Sequence, residues 1–229
     1  MALFNRRGIA VTTDGPISLT RPRSAAAEAY RTLLASVRFS SLEQPVRSIL
    51  FTSPGPLEGK STTLANLAVI AAQAGSRVLA VDCDLRRPSL HEAFGVSNTV
   101  GLTSLLLEDR TPESCIQPGP IPGLGILTSG PLSPNSADLL LSRRVDGVFE
   151  ALTELADLVM LDSPPAAGLA DASLLAPRVD AVVLVIDATR TQRDDARRAK
   201  EQLERAGARL LGVVVNRAPG APSHYRYET

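Results

Sequence analysis

The sequence predicts an α/β fold: a three-layer sandwich in which helices cover both faces of a mainly parallel sheet. Apolar runs recur along the chain at 48–53, 77–82, 124–128, 157–162, 181–187 and 210–215. Several of these runs are separated by helix-length stretches, and each is continuous rather than alternating, which is typical of strands buried on both faces. A length of 229 residues suits one such domain with short extensions.

The composition argues against several classes of protein. Net charge is zero, so the basic excess that binding to nucleic acid requires is missing. No apolar run approaches the roughly 18 residues of a membrane span, and the first residues lack the apolar region of a signal peptide. Cys83 and Cys115 are the only cysteines and are expected to be reduced. We therefore expect a cytoplasmic protein with no nucleic acid partner and no direct membrane insertion.

The part of the chain before the first strand divides in two. Residues 1–23 are rich in Gly, Pro, Thr and Arg without periodicity, which predicts an extended or poorly ordered arm. A helix is predicted from Ser24. Its single apolar face is formed by Tyr30, Leu33, Leu34 and Val37. The folded domain is therefore placed at 24–217, followed by a flexible tail at 218–229.

Two later helices have recognisable ends. The helix predicted over 60–74 stops at Gly75, a residue suited to a left-handed cap. Thr191 and Asp194 have the spacing of a capping box, which predicts a helix that begins there and stops at Gly207.

The segment Ser53-Pro-Gly-Pro-Leu-Glu-Gly-Lys-Ser-Thr62 joins the first strand to a long helix. A loop that ends in Gly-Lys-Ser directs successive backbone N–H groups at phosphate oxygens, at the positive end of the following helix. Lys60 is expected to reach the β- and γ-phosphates and Ser61 to bind Mg²⁺. The strict motif has glycine where this chain has Pro54, so the strand-loop-helix context carries the prediction of a P-loop NTPase.

Aspartates follow two of the apolar runs. Asp82 and Asp84 lie at the carboxyl end of one strand, where open α/β sheets bind ligands, and their spacing predicts a shared face toward one metal-phosphate cluster. The alternative is that they cap the next helix or pair with Arg86 and Arg87. Asp162 ends another strand and is expected to bind Mg²⁺ directly or through water.

Asn216 also follows a strand, and its amide has the paired donor and acceptor needed to read a purine edge. A role as a turn-forming residue is equally compatible with its position.

Taken in order, these pieces resemble the bacterial tyrosine kinases of capsule and exopolysaccharide gene clusters, the BY-kinases. The matching segments are residues 28–33, 52–62, 82–91, 101–106, 130–135 and 162–165. The resemblance implies ATP-dependent autophosphorylation of carboxy-terminal tyrosines, here Tyr225 and Tyr227, in the control of polysaccharide polymerisation and export. It also implies a membrane adaptor of the polysaccharide co-polymerase type, whose cytoplasmic tail activates the kinase and recruits it to the inner face of the plasma membrane.

The same resemblance implies a set of site residues. Those implied to bind ATP are Lys60, Ser61 and Thr62, and Glu58, Gly59, Arg86 and Asn216 are also predicted to contact it. The implied catalytic residues are Asp82, Asp84 and Lys60, with Asp82 accepting the tyrosine proton. The implied Mg²⁺ ligands are Ser61, Asp82 and Asp162.

The sequence departs from the family pattern at two informative places. The helix that mediates ring assembly usually carries Glu-x-x-Arg-x-x-Arg; Glu28 and Arg31 match, whereas Leu34 replaces the second arginine. We therefore expect weaker assembly of homo-oligomers. In the loop, Leu57 replaces a glycine that would let the backbone bend freely, so weaker nucleotide binding is expected.

Two other functions remain open on sequence grounds. A MinD/ParA-like ATPase switch would carry a lysine five residues before Lys60, where this chain has Gly55, and this difference favours the kinase. A non-catalytic regulator of polysaccharide chain length that retains a nucleotide site is compatible with Leu34 and Leu57.

Overall fold

The computed structural model describes residues 15–40, 45–133, 135–168 and 170–218, and this part of the chain contains one seven-stranded sheet. The strands are β1 (Ser48–Thr52), β2 (Val78–Asp82), β3 (Gln117–Pro118), β4 (Leu124–Leu127), β5 (Leu158–Asp162), β6 (Ala181–Asp187) and β7 (Leu210–Asn216). Their order is β3-β4-β2-β5-β1-β6-β7, and every neighbouring pair is parallel except β3 and β4. The predicted mainly parallel sheet is confirmed; only the two-residue β3 was not predicted.

Helices cover both faces of the sheet, so the predicted three-layer sandwich is also confirmed. They are α1 (Ile17–Thr20), α2 (Ala25–Ser40), α3 (Lys60–Gln73), α4 (Leu90–Phe94), α5 (Leu102–Leu107), α6 (Pro112–Cys115), α7 (Ser136–Leu141), α8 (Arg144–Leu155), α9 (Asp171–Leu175) and α10 (Arg193–Arg205), with a 3₁₀ turn at Ala176–Arg178. One apolar core lies between the sheet and α2, α3 and α4, and the other between the sheet and α5, α8, α9 and α10. Among the described helices, none is both long and apolar enough to cross a membrane.

The segment before α2 differs from the predicted extended arm. Residues 17–20 form the short helix α1, in which Ser18 is fully buried and donates its backbone N–H to Asn66 Oδ1 at 2.8 Å. A four-residue helix has too few positions for a periodic pattern, so the sequence did not reveal it. Together α1 and α2 cover the outer side of α3, which is buried without interruption from Thr63 to Ala72. Residues 1–14 of the predicted arm lie outside the described residues.

The predicted ends of α3 and α10 are close to those observed, with one correction. Gly75 and Gly207 both have the positive φ expected after a helix, at +88° and +81°. The capping box at Thr191 is absent, because α10 begins at Arg193 after Gln192 and no side chain caps it. Thr191 instead accepts the backbone N–H of Asp187 through its hydroxyl oxygen.

The register of the sheet brings the predicted site residues together. Asp162 lies opposite Asp82 on one neighbouring strand and opposite Phe51 on the other. The strands β2, β5 and β1 therefore end at one edge, and the loop after β1 leaves from the middle of that edge.

β7 is an edge strand of the sheet, with β6 as its neighbour on the inner side. No described strand pairs with this outer side, and Val213 and Val215 on β7 are 49% and 52% exposed.

The two cysteines lie inside the fold. Cys83 and Cys115 are free thiols buried in the core.

Candidate nucleotide and phosphoryl-transfer site

The phosphate loop has two residues in the left-handed region of backbone conformation. Leu57 has φ +64° and Gly59 has φ +93°. A side chain at Gly59 would have to displace Asn216, because an added Cβ would lie 2.0 Å from its Nδ2, and the positive φ would strain it as well. Leu57 adopts the same kind of conformation at a cost of order 1 kcal/mol, which glycine would not incur. The backbone at position 57 therefore adopts a conformation that suits glycine, although leucine occupies the position.

Lys60 is the first residue of α3 and contacts two of the predicted aspartates. Its Nζ lies 3.2 Å from Oδ2 of Asp84 and 3.4 Å from Oδ2 of Asp162. Burial lowers the pKa of Lys60, but the surrounding aspartates more than offset this effect, so its pKa is raised and the ammonium keeps its proton. The loop thus holds a permanent cation where the phosphates of a nucleotide are expected.

Asp162 and Ser61, the predicted magnesium ligands, lie in direct contact. The Ser61 hydroxyl donates to Oδ2 of Asp162 at 2.5 Å, whereas Oδ1 of Asp162 is buried without a hydrogen-bond partner. Burial raises the pKa of Asp162 to about 7. A hydroxyl beside a carboxylate with an unpartnered oxygen fits Mg²⁺, and the described residues contain no cluster of three His, Cys, Asp or Glu side chains that could hold a metal. Phosphate oxygens and water would therefore have to complete the coordination.

Asp82 accepts hydrogen bonds from three backbone amides. Its Oδ2 accepts the backbone N–H groups of Ser89 and Leu90, both at 2.9 Å, and its Oδ1 accepts that of Asp84 at 3.1 Å. The side chain is fully buried, and burial raises its pKa to about 6. Asp82 therefore holds the start of α4, as the alternative interpretation proposed, while its charge also acts on Lys60, Asp84 and Asp162. Its catalytic role remains a prediction.

Asp84 is placed closer to the loop than Asp82. Its Oδ2 pairs with Lys60, and its Oδ1 accepts the N–H of Arg87 at 2.9 Å. Arg86 points elsewhere: its Nε donates to Oδ2 of Asp171 at 3.1 Å, at the start of α9. The structure thus brings Lys60, Ser61, Asp84 and Asp162 together, whereas Asp82 acts on Lys60 and Asp162 through its charge and Arg86 is paired outside this group.

Glu58 and Thr62 lie on either side of Gly59, Lys60 and Ser61 in the sequence and differ in burial. The Glu58 carboxyl accepts the N–H of Gly55 at 3.2 Å, and its other oxygen is buried without a partner. Burial raises the pKa of this carboxyl. Thr62 is exposed, and its carbonyl accepts Nδ2 of Asn66 at 2.8 Å. Nucleotide contacts of both residues remain predictions.

Residues at the ends of β6 and β7 complete the surroundings of the loop. Asn216 donates from Nδ2 to the carbonyl of Glu58 at 3.0 Å, and its Oδ1 accepts the N–H of Arg217. Arg217 donates from Nη1 to the carbonyl of Leu57 at 3.1 Å and to Oδ2 of Asp187. Sequence reasoning gave no role to Asp187 or Arg217, although Asp187 ends one apolar run and Arg217 lies two residues after another. The purine-reading role of Asn216 remains a prediction.

The other predicted sites lie away from this group. Tyr225 and Tyr227 lie outside the described residues. Glu28 and Arg31 form an ion pair with each other, 2.5 Å between Oε1 and Nη1, on exposed α2. Leu34 is buried in the core against α3 and is only 6% exposed.

A phosphate loop leaving the middle of a parallel sheet, with a lysine and aspartates from neighbouring strand ends, defines a P-loop nucleotide-binding protein. The sequence matches the CbiA family, the CobQ/CobB/MinD/ParA nucleotide binding domain, over residues 49–228. Tyrosine-protein kinase YwqD of Bacillus subtilis (strain 168) is 42% identical over 216 residues, which are 94% of this chain and 91% of YwqD.

Solved structures of two kinds of protein within this class, tyrosine kinases and MinD, are similar to this chain. The kinase domain of the Escherichia coli tyrosine kinase ETK aligns with a TM-score of 0.84 and 30% identity, over 94% of this chain and 86% of that one. The septum site-determining protein MinD of Pyrococcus horikoshii OT3, complexed with Mg-ADP, aligns with a TM-score of 0.66 and 25% identity, over 79% and 74%. Within its class, the chain belongs to the bacterial tyrosine kinase (BY-kinase) family, as the resemblance implied, and the MinD/ParA alternative is not favoured.

Proposed function

We propose that this protein is an ATP-dependent tyrosine autokinase that phosphorylates Tyr225 and Tyr227 and so regulates capsule or exopolysaccharide polymerisation and export. The observation that carries the proposal is the group formed by Lys60, Ser61, Asp84 and Asp162 at the phosphate loop of a chain 42% identical to a tyrosine-protein kinase. Such a group can hold phosphates and position a reacting oxygen, which is most of what phosphoryl transfer requires.

Each side chain has a defined task in this proposal. Lys60 exchanges its contacts with Asp84 and Asp162 for oxygens of the β- and γ-phosphates, where its charge stabilises the transition state. Ser61 and Asp162 would hold Mg²⁺, which neutralises charge that develops between the β- and γ-phosphates.

The transfer itself needs a proton acceptor. The tyrosine oxygen forms a bond to the γ-phosphorus while the bond to the bridging oxygen of ADP breaks, and the phenolic proton passes to a carboxylate. Asp82 was the predicted acceptor, but three backbone amides occupy its oxygens. Once Lys60 has turned toward the phosphates, Asp84 has a free oxygen, so we assign the acceptor role to Asp84 and a supporting role to Asp82.

The family also leads us to propose a partner. A membrane adaptor of the polysaccharide co-polymerase type would supply a cytoplasmic tail that activates this kinase and recruits it to the inner face of the plasma membrane. The absence of a membrane-crossing helix among the described residues is consistent with recruitment by such a partner.

A mixing experiment tests the central proposal and the direction of transfer. Lys60→Met supplies acceptor tyrosines without catalysis, and Tyr225→Phe/Tyr227→Phe supplies catalysis without acceptors. The two chains are incubated with labelled ATP and Mg²⁺, and an adaptor tail is fused to them if the isolated chain shows no kinase activity. The Lys60→Met chain should then be labelled at Tyr225 and Tyr227. Mapping by mass spectrometry identifies the sites.

The controls distinguish the alternatives. Lys60→Met mixed with a Lys60→Met/Tyr225→Phe/Tyr227→Phe chain should give no label. Label on wild type alone, at a rate independent of concentration, would contradict transfer between chains. Nucleotide binding without label in any mixture would instead support the non-catalytic chain-length regulator.

A further inference from the structure

Two consecutive residues at the end of β7 hold two consecutive carbonyls of the phosphate loop. Arg217 donates from Nη1 to the carbonyl of Leu57 at 3.1 Å, and Asn216 donates from Nδ2 to the carbonyl of Glu58 at 3.0 Å. These contacts join residues 160 and 158 positions apart in the sequence. The end of the last described strand thus braces the outside of the loop.

The geometry of the peptide group gives this contact a consequence for the inside of the loop. In a trans planar peptide, the C=O of one residue and the N–H of the next point in opposite directions. When the carbonyls of Leu57 and Glu58 are held toward β7, the N–H groups of Glu58 and Gly59 are directed away from β7. Backbone N–H groups directed inward are what a phosphate loop uses to bind its anion.

The brace is itself anchored. Arg217 pairs with Oδ2 of Asp187, which is fully buried at the end of β6. The other oxygen of Asp187 accepts both the N–H and the hydroxyl of Thr189, at 2.9 and 2.7 Å. Burial alone would raise the pKa of Asp187, but the bonds from Thr189 and Arg217 lower it, so the carboxylate stays charged.

The loop also needs such a brace on energetic grounds. Leu57 and Arg217 both have positive φ, at +64° and +53°, a conformation that non-glycine residues seldom adopt without support from neighbouring contacts. The hydrogen bond between Arg217 and the Leu57 carbonyl joins these two residues directly.

We propose that Asn216 and Arg217 are positioning residues of the phosphate loop, which fix the orientation of the Glu58 and Gly59 amides that bind the nucleotide phosphates. The proposal rests on the proposed function, since it requires that the loop binds a nucleotide. It also assigns Asn216 a role that differs from reading a purine edge. The two roles are separable because one concerns the phosphates and the other the base.

The experiment compares a ligand that has a base with one that has none. Binding of Mg-ADP and of Mg-tripolyphosphate to the full chain is measured by titration calorimetry, for wild type, Asn216→Ala, Arg217→Ala and Arg217→Lys. Arg197→Ala is the matched control, because Arg197 is an exposed arginine on α10 whose Nε pairs with Glu201 at 2.9 Å. Melting temperatures are recorded for each variant, and titrations are run well below the lowest of them.

We expect Asn216→Ala and Arg217→Ala to weaken both ligands by about tenfold, the size of one lost hydrogen bond to a charged or preorganised group. Arg217→Lys should recover most of the loss, and Arg197→Ala should match wild type. Loss of Mg-ADP affinity in Asn216→Ala with unchanged tripolyphosphate affinity would overturn the proposal in favour of base reading. Affinities of Arg217→Ala within twofold of wild type, whatever its melting temperature, would overturn it as well.

The readout keeps this proposal separate from the proposed kinase. A wild-type chain that binds both ligands but never transfers phosphate to tyrosine would count against the kinase, while the comparison of variants would still decide the role of Asn216 and Arg217.

Discussion

At the scale of single residues, the site is arranged around a lysine that is already neutralised. Lys60 pairs with Asp84 and Asp162, so an incoming nucleotide must replace two contacts that the protein makes with itself. Both aspartates are nearly or fully buried, which makes them costly to leave without a cation. Nucleotide and Mg²⁺ are therefore expected to bind together, since the metal supplies the positive charge that Lys60 withdraws.

The two aspartates at the carboxyl end of β2, Asp82 and Asp84, are expected to respond differently to amide substitution. Asp82→Asn replaces an oxygen that accepts backbone N–H groups with a donor, which should lower the free energy of unfolding by about 1–3 kcal/mol. Asp84→Asn keeps an oxygen for the N–H of Arg87 but loses the charge that pairs with Lys60, and should slow phosphoryl transfer by about 100-fold or more. Urea unfolding and single-turnover assays measure the two effects. An Asp82→Asn chain as stable as wild type, with the larger loss of rate, would return the acceptor role to Asp82.

The raised pKa of Asp162 predicts a pH dependence of defined sign. A carboxyl with a pKa of about 7 in the folded state and about 4 when unfolded binds its proton more tightly when folded. The free energy of unfolding of the nucleotide-free protein should therefore fall as pH rises from about 4 through 7, and Asp82, at about 6, adds to this trend.

Binding of Mg-ADP should show the opposite trend, because Mg²⁺ requires the ionised Asp162. The increase in melting temperature caused by Mg-ADP should grow between pH 6 and pH 8. Asp162→Asn has no proton to lose, so its melting-temperature shift should be small and independent of pH across that range. A wild-type shift that is equally large at pH 6 would contradict the assignment of Asp162 to the metal.

At the scale of elements, the phosphate loop shows what a sequence can and cannot predict. The strand-loop-helix order predicted Lys60 and Ser61 correctly as the first turn of α3, because the apolar run and the Gly-Lys-Ser ending are local signals. The contact of Arg217 with Leu57 was not predictable, since arginine is common after strands and its partner is 160 residues away. For Asp82 the sequence left open whether it caps the next helix or faces the nucleotide, and only the structure shows that its Oδ2 accepts the N–H groups of Ser89 and Leu90 at the start of α4.

Leu57 gives a test of the loop conformation. Leu57→Gly removes the cost of a left-handed leucine, so nucleotide affinity should stay within about twofold of wild type or improve. Leu57→Val places a β-branched residue at φ +64°, which should lower the free energy of unfolding by about 1 kcal/mol or more. Chemical denaturation and Mg-ADP titration check both variants. Equal stability of the valine and glycine variants would show that the loop adopts another conformation in solution.

At the scale of the whole molecule, the order of the strands in the sheet is the part of the fold that the sequence did not predict. Continuous apolar runs predicted six strands and a mainly parallel sheet, but nothing in those runs shows that β1 lies between β5 and β6. The consequence for the site was nevertheless predictable, because parallel strands place all their carboxyl ends at one edge.

Self-association is the remaining prediction at this scale. Arg31 is paired with Glu28 of the same helix, and Leu34 is buried where the family has a second arginine. Both features leave few charged groups on α2 for a neighbouring chain, so light scattering at low micromolar concentration should show mostly monomers. Arg31→Ala should weaken whatever association remains. A stable ring that persists in Arg31→Ala would contradict this prediction.

The outer side of β7 has a practical consequence for handling the protein. A strand whose outer side pairs with no described strand, with Val213 and Val215 exposed, is a template for edge-to-edge association, which produces open-ended aggregates rather than closed rings. Slow, concentration-dependent turbidity in storage is therefore expected, most strongly near the isoelectric point of about 6.7, where net charge no longer keeps molecules apart. Val215→Lys should raise the solubility limit without changing nucleotide binding. This variant would allow preparations concentrated enough for crystallisation or nuclear magnetic resonance.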